Sequence, residues 1–170
     1  MDRLGTIRWL WGFQAWARPR LLDAASRLPT ERLNEPGTIA GGLGTGSVHD
    51  MLAHIVGAEE VWLRRWQGEE RVPLPAGGDF PDLGAIAERW EEVEGGRSGY
   101  LNGLSDDDLG RGVRYVSVTR HVEESFPVWQ TMLHITNHTT HHRADVCTAL
   151  SGLGRAPESV DLIDYLRANA

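Results

Sequence analysis

The apolar residues of this chain recur mainly with the 3.6-residue period of an amphipathic α-helix. This spacing predicts four long helices, the third beginning at Pro81, and one short closing helix: residues 5–28, 47–67, 81–101, 127–152 and 159–168. Four long helices without a convincing sheet are typical of a helical bundle. We therefore expect an all-α fold, a four-helix bundle with a short extra C-terminal helix.

Segments rich in glycine and proline separate these helices. Residues 34–46 and 68–79 have this composition and are predicted to be loops. Ser47 and Asp50 have the spacing of a capping box at the start of the second helix. Pro19 lies inside the first helix, where we expect it to kink or restart the helix.

The region between the third and fourth long helices has a different pattern. Residues 113–119 and 121–126 alternate between apolar and polar, which favours a small extended ribbon. A chain of 170 residues is long enough to bury one substantial core. We therefore expect residues 1–170 to form a single domain.

Composition and charge exclude several classes of function. The formal net charge is -7 and the basic residues are scattered, so we expect no nucleic-acid partner. No apolar run approaches the ~20 residues that span a bilayer, and charges interrupt the first apolar residues, unlike a signal peptide. The absence of such a run predicts no membrane partner. The single cysteine, Cys147, excludes an internal disulfide and fits a reducing compartment, so we expect a cytoplasmic protein.

Four of the seven histidines lie in one short window: His134, His138, His141 and His142. Imidazole is the commonest metal ligand in proteins, and residues four apart on a helix stand one turn above each other. Several pairs have suitable spacing. On a helical wheel, His142 and His138 lie about 40° and 80° from the apolar direction, against about 120–140° for the other two. The inward pair is therefore His138 and His142.

A third ligand has to come from another helix, because catalytic metal sites usually use three protein ligands. The remaining histidines are His49, His54 and His121. His54 lies on the flank of the apolar stripe of the second helix and is the best-placed of the three. The simpler alternative is that these are surface or hydrogen-bonded core histidines that bind nothing.

Other catalytic patterns are missing from the sequence. No glutamate follows the first histidine as in H-E-x-x-H, which argues against a standard zinc protease. Neither a G-x-S-x-G nucleophile motif nor a G-x-x-x-x-G-K-[ST] phosphate loop is present.

The chain resembles the DinB/YfiT-like family of small metal-binding four-helix bundles over nearly its full length. The matching segments are Trp16-Ala17-Arg18, Leu21-Leu22-Asp23-Ala24, Leu52-Ala53-His54-Ile55 with Trp62, Pro127-Val128-Trp129-Gln130, the run from His134 to Arg143, and the run from Asp161 to Leu166. The histidine-rich run and the closing segment are the most specific. A departure follows Arg143, where the family often has Gly-Gln and this chain has Ala144-Asp145.

This resemblance implies an up-down-down-up bundle with a long crossover between its second and third helices, often as a homodimer. It also implies a metal site made of one histidine from the second helix and an H-x-x-x-H pair from the last long helix. In this chain those positions are His54, His138 and His142, the three residues already favoured by the helical pattern.

Three imidazoles suit Zn²⁺ or Ni²⁺ and also accept Fe²⁺ or Mn²⁺. Asp50, His141 and Asp145 are near enough in sequence to orient a ligand ring. The simpler interpretation is that both carboxylates are helix-surface charges. Arg143 can bind an anionic substrate, although a helix-surface ion pair is the simpler expectation for it.

Four interpretations fit these features. Relatives in the family are thiol S-transferases, so one hypothesis is a metal-dependent enzyme that transfers a low-molecular-weight thiol to an electrophilic small molecule. A metal-dependent hydrolase is an alternative, with water replacing the thiol. A non-catalytic stress-response bundle with a structural metal is another, and a metal-free interaction bundle is the remaining interpretation. No general base can be named.

Overall fold

The computed structural model describes residues 2–170 and is predominantly helical. Over this part of the chain it contains six α-helices and one two-stranded hairpin: α1 (Arg3–Ser26), α2 (Thr30–Leu33), α3 (Val48–Trp66), α4 (Leu83–Asn102), β1 (Gly112–Val116), β2 (Glu123–Pro127), α5 (Val128–Gly152) and α6 (Leu162–Ala168). The four long helices form a bundle and α6 is the extra C-terminal helix. The predicted all-α fold is confirmed.

Side-chain contacts give the direction of α5 relative to its neighbours. Near the start of both α1 and α5, the Arg3 guanidinium lies 5.5 Å from the centre of the Trp129 ring. Further along both helices, Gln14 donates to the hydroxyl of Thr140, so α1 and α5 run in parallel. The end of α3 meets the start of α5, because Trp66 Nε1 donates to Thr131 Oγ1. Helix α3 is therefore antiparallel to α5.

The fourth helix of the bundle runs parallel to α3. Glu60 lies 3.9 Å from Arg89, and further along both helices the Trp66 ring stacks on Tyr100. The order is thus up for α1, down for α3 and α4, and up for α5. Two parallel neighbours cannot be joined by a tight turn, so residues 67–82 cross the length of the bundle.

Helix starts differ from the prediction where an aspartate caps the helix. Helix α4 begins at Leu83 because the Asp82 side chain accepts a hydrogen bond from the amide of Ala85. The predicted start at Pro81 was wrong for this reason. Asp161 likewise caps α6 by accepting from Ile163 N, so this helix begins three residues later than predicted. Helix α1 continues through Pro19 and does not restart there.

The hairpin confirms the predicted ribbon, with shorter strands. Strands β1 and β2 are antiparallel, and Val113 pairs with Phe126 and Tyr115 with Glu124. Val113 and Tyr115 are buried against the bundle, while Arg114 between them is exposed. The alternation in the sequence reflects these two faces. Residues 117–122 form the tip of the hairpin.

One continuous apolar core lies between the four long helices. Helix α3 contributes most to it, including the predicted stripe: Val48, Met51, Leu52, Ile55, Trp62 and Trp66. Among residues 2–170, none of the helices combines the length and apolar character needed to cross a membrane.

Candidate metal centre

Three histidines converge between α3 and α5. His54 projects from α3, while His138 and His142 project from successive turns of α5. Nε2 of His54 lies 3.1 Å from Nε2 of His138, and the ring of His54 lies 4.9 Å from that of His142 between centres. Each of the three offers a ring nitrogen within 4.8 Å of the others, so the group could hold a metal ion. The structure thus brings together the three residues proposed as ligands from the sequence.

A buried polar network fixes the register of these two helices. The Glu59 carboxylate of α3 accepts a hydrogen bond from the hydroxyl of Thr139 at 3.0 Å. Thr139 directly follows His138 on α5. The same carboxylate accepts from Trp90 Nε1 at 3.1 Å and forms an ion pair with Arg97 at 2.7 Å, both on α4. A shift of either helix along its axis would break these bonds, so the network holds the histidines opposite each other.

Asp145 is the carboxylate that contacts a histidine of this group. Its Oδ2 lies 3.2 Å from Nδ1 of His142. Because a carboxylate accepts here, Nδ1 of His142 is the donor, and in the neutral form of this ring Nε2 is the nitrogen with a free lone pair. His141 is 71% exposed and lies 3.9 Å from the same carboxylate oxygen. His141, His142 and Asp145 form a second group with atoms close enough to share an ion.

Asp50 has a different role from the one considered from the sequence. Its carboxylate accepts from the amide and the hydroxyl of Thr45, both at 2.6 Å. Although burial raises its pKa, these hydrogen bonds hold the pKa of Asp50 below its ordinary value. The amide of Asp50 donates to Ser47, which is one half of the predicted capping box. Asp50 therefore ties the preceding loop to α3 and is not placed to orient His54.

Burial keeps the facing imidazoles neutral. Desolvation, aided by repulsion from His142, lowers the pKa of His54 to about 4. Desolvation, with repulsion from the surrounding histidine rings, lowers the pKa of His138 to about 3. Both rings therefore carry a free lone pair at neutral pH, which is the form that binds a metal ion.

The same shifts predict a pH-dependent stability for the metal-free protein. In the unfolded chain these histidines titrate near pH 6.5, so between about pH 6.5 and 4 the unfolded state binds more protons than the folded state. Stability is fully present above pH ~6.5 and is lost as pH falls. We expect a loss of about 1–2 kcal/mol by pH 5, after allowance for partial exposure of the rings. Urea unfolding at a series of pH values, with a chelator present, measures this loss of unfolding free energy.

His138→Asn should reduce the change of unfolding free energy with pH, because it removes the ring whose pKa is lowered most. His141→Asn is the matched control on the same helix; its ring is exposed in the folded and unfolded chain alike, so the wild-type slope should persist. Equal slopes in wild type and His138→Asn would contradict the assignment.

The donor set fits a divalent cation. Around a tetrahedral ion with metal–nitrogen bonds of about 2.0–2.1 Å, two ligand nitrogens lie about 3.3 Å apart. The 3.1 Å between the Nε2 atoms of His54 and His138 is close to this value. Two neutral ring nitrogens that face each other at this distance need a shared proton or a shared cation. Three imidazoles also leave a coordination position open for another molecule.

An open cleft of about 280 Å³ begins at the histidine group. His54 and His138 line one end of it, and the other walls come from α3, the hairpin and the loop before α4. His134 also lines this cleft, with its ring 5.4 Å from that of Trp62. Desolvation and the nearby Arg65 lower the pKa of His134. The site is therefore reachable from solvent through a pocket of ligand-binding size.

The sequence reasoning missed several polar residues at this site. Glu59 and Arg65 are 3% and 6% exposed, although both are charged residues on a helix. Their spacing from the buried Ile55 and Trp62 could have revealed them, because residues three or four positions away on a helix share a face.

Arg143 corrects the expectation of a helix-surface ion pair. It is buried, donates to the side-chain carbonyl of Gln14, and lies over the ring of Phe13. It therefore links α5 to α1 inside the bundle.

Comparison with known proteins agrees with this architecture. The family model of the DinB family matches residues 10–169, nearly the whole chain and all of the residues discussed above as candidate ligands. No curated protein gives a significant match. A match of this extent identifies the family, and the chain belongs to the DinB family.

Proposed function

We propose that this protein is a divalent-metal-dependent enzyme whose ion is held by His54, His138 and His142. The observation that carries the proposal is the convergence of three imidazoles, two of which, His54 and His138, line an open cleft. A metal that only braced two helices would not need a pocket leading to it.

A bound divalent cation in such a site supplies positive charge that lowers the pKa of a coordinated thiol or water. We favour Zn²⁺ or Ni²⁺, with Fe²⁺ and Mn²⁺ as alternatives, since imidazole nitrogen suits all four. The protein's own part is to present unprotonated ring nitrogens. Asp145 supports this by accepting a hydrogen bond from Nδ1 of His142, which fixes the orientation of the ring and directs Nε2 toward the site.

The proposed reaction is the transfer of a low-molecular-weight thiol to an electrophilic small molecule. Family membership supports this reaction class, and the cleft supports a small-molecule substrate because its volume is at the lower end of ligand pockets. The walls formed by Trp62 and Tyr115 are aromatic and suit an apolar portion of that molecule. A homodimer is also proposed, on the family resemblance alone.

Metal analysis and a thiol-consumption assay on the same tag-free protein test the proposal. We expect about one divalent ion per chain, and loss of thiol with an electrophile such as 1-chloro-2,4-dinitrobenzene that is faster with metal-loaded than with chelator-treated protein. Absence of metal from protein refilled with Zn²⁺ or Ni²⁺ would overturn the site. Bound metal that raises the melting temperature without turnover of thiol or of ester substrates would favour the structural role, and ester turnover alone would favour the hydrolase.

A further inference from the structure

Arg65 is a buried cation in the cleft wall that forms no ion pair with a carboxylate among residues 2–170. Its side chain lies between two aromatic rings, 4.8 Å from the centre of Trp62 and 4.2 Å from that of Tyr115. Its hydrogen bond is a long one, 3.3 Å to the carbonyl oxygen of Val116. Its Nε is buried and has no hydrogen-bond partner among residues 2–170. A guanidinium has five N–H donors, so this side chain is under-satisfied.

The nearby carboxylate does not neutralise Arg65. Glu124 also lines the cleft, but one of its oxygens accepts from the hydroxyl of Tyr115 at 2.7 Å. Its other oxygen pairs with Arg120 at 2.9 Å. With the charges of Glu124 and Arg120 cancelling each other, Arg65 leaves the acidic and basic side chains of the cleft with a net positive charge. This is unusual within a chain of net charge -7.

Arg65 and the histidine group lie toward different ends of one cavity. They are eleven positions apart on α3, which corresponds to about 16 Å between their backbone positions along the helix axis. Both His54 and Arg65 line the same cleft. The Arg65 guanidinium lies 4.8 Å from the Trp62 ring, which is 5.4 Å from that of His134, so a molecule that reaches both groups extends along this row of side chains.

We propose that the cleft binds an elongated, carboxylate-bearing small molecule, with the carboxylate on Arg65 and the reacting group at the histidines. The planar guanidinium, with its free donors, matches the two oxygens of a carboxylate. The rings of Trp62 and Tyr115 hold the guanidinium in place and cover the apolar middle of the ligand. This substrate class deepens the proposed function, although the anion contact itself does not require a metal.

Calorimetric titration with 4-phenylbutyrate and its neutral amide, 4-phenylbutyramide, tests the proposal. The protein is treated with a chelator first, so that the carboxylate cannot bind to an ion. Because the two probes share one carbon skeleton and only the carboxylate carries a charge, we expect wild type to bind the carboxylate at least tenfold more tightly. Arg65→Met keeps an unbranched apolar stem and should lower this preference to less than twofold. Arg65→Lys keeps the charge and should retain part of it.

Arg64→Gln is the matched control. Arg64 is the adjacent residue but points away from the cleft and pairs with Glu69, so this variant should keep the wild-type preference. Equal binding of the two probes to wild type, no saturable carboxylate binding at millimolar concentration, or an unchanged preference in a folded Arg65→Met protein would each overturn the proposal. A protein that binds no metal but still prefers the carboxylate would contradict the proposed metal site and leave the carboxylate site standing.

Discussion

Replacement of His138 by alanine is expected to weaken divalent-metal binding by more than about 100-fold, a loss of about 2.7 kcal/mol. His138 is central to the group, with ring contacts to both His54 and His142. Its removal leaves two imidazoles, fewer than the three protein ligands that such sites commonly use. His54→Ala should have an effect of similar size. Competition with a chromogenic chelator, on protein without a polyhistidine tag, measures both.

His141→Ala tests which of two histidine groups binds the ion: His54, His138 and His142, or the second group of His141, His142 and Asp145. His141 lies on the same helix and shares His142 and Asp145 with the second group, but it takes no part in the first. We expect this variant to bind metal within a fewfold of wild type. Loss of binding in His141→Ala together with wild-type binding in His54→Ala would move the site to His141, His142 and Asp145 and contradict the assignment. Metal should also raise the melting temperature of wild type but not of His138→Ala.

Replacement of Glu59 by glutamine should destabilise the protein by about 3–5 kcal/mol, because it leaves the buried guanidinium of Arg97 without its counter-ion. For a chain of this size the melting temperature should fall by about 10 °C. The carboxylate of Glu59 accepts from three side chains on two helices, and all of these contacts are buried. Thermal and urea unfolding of the metal-free protein measure the loss.

Two further variants show whether the lost charge pair is the cause. Glu59→Gln combined with Arg97→Met removes both charges, so the double variant should be less destabilised than Glu59→Gln alone. Glu92→Gln, in an exposed pair with Arg89, should change stability by less than about 0.5 kcal/mol. A loss in Glu59→Gln no greater than in Glu92→Gln would contradict the role given to this network.

Local sequence patterns were enough to predict most of the fold. The apolar spacing of α3 gave its extent within about a residue at either end, because this helix is buried along nearly its whole length. Helix starts that depend on one capping side chain were harder to predict. Pro81 and Asp82 both suit a helix start, and the hydrogen bond from Ala85 to Asp82 decides between them.

The ligand group was accessible from the sequence because His138 and His142 share a helix and a face. The cleft was not, since its walls come from segments far apart along the chain. Tyr115 and Arg65 meet only because the hairpin packs on the last turn of α3. Arg143 was expected at the helix surface and Arg65 was not singled out, although the helical spacing of both residues places them inside.

The hairpin tip at residues 117–122 helps to line the cleft but supplies none of the three proposed ligands. It joins two strands that lie outside the helical scaffold, and such tips accept insertions and deletions readily. A change in the length of that tip is therefore expected to alter which molecules enter the cleft, while His54, His138 and His142 stay in place. Part of the proposed selectivity thus lies apart from the three histidines, which makes exchange of the tip between relatives a practical route to new specificities.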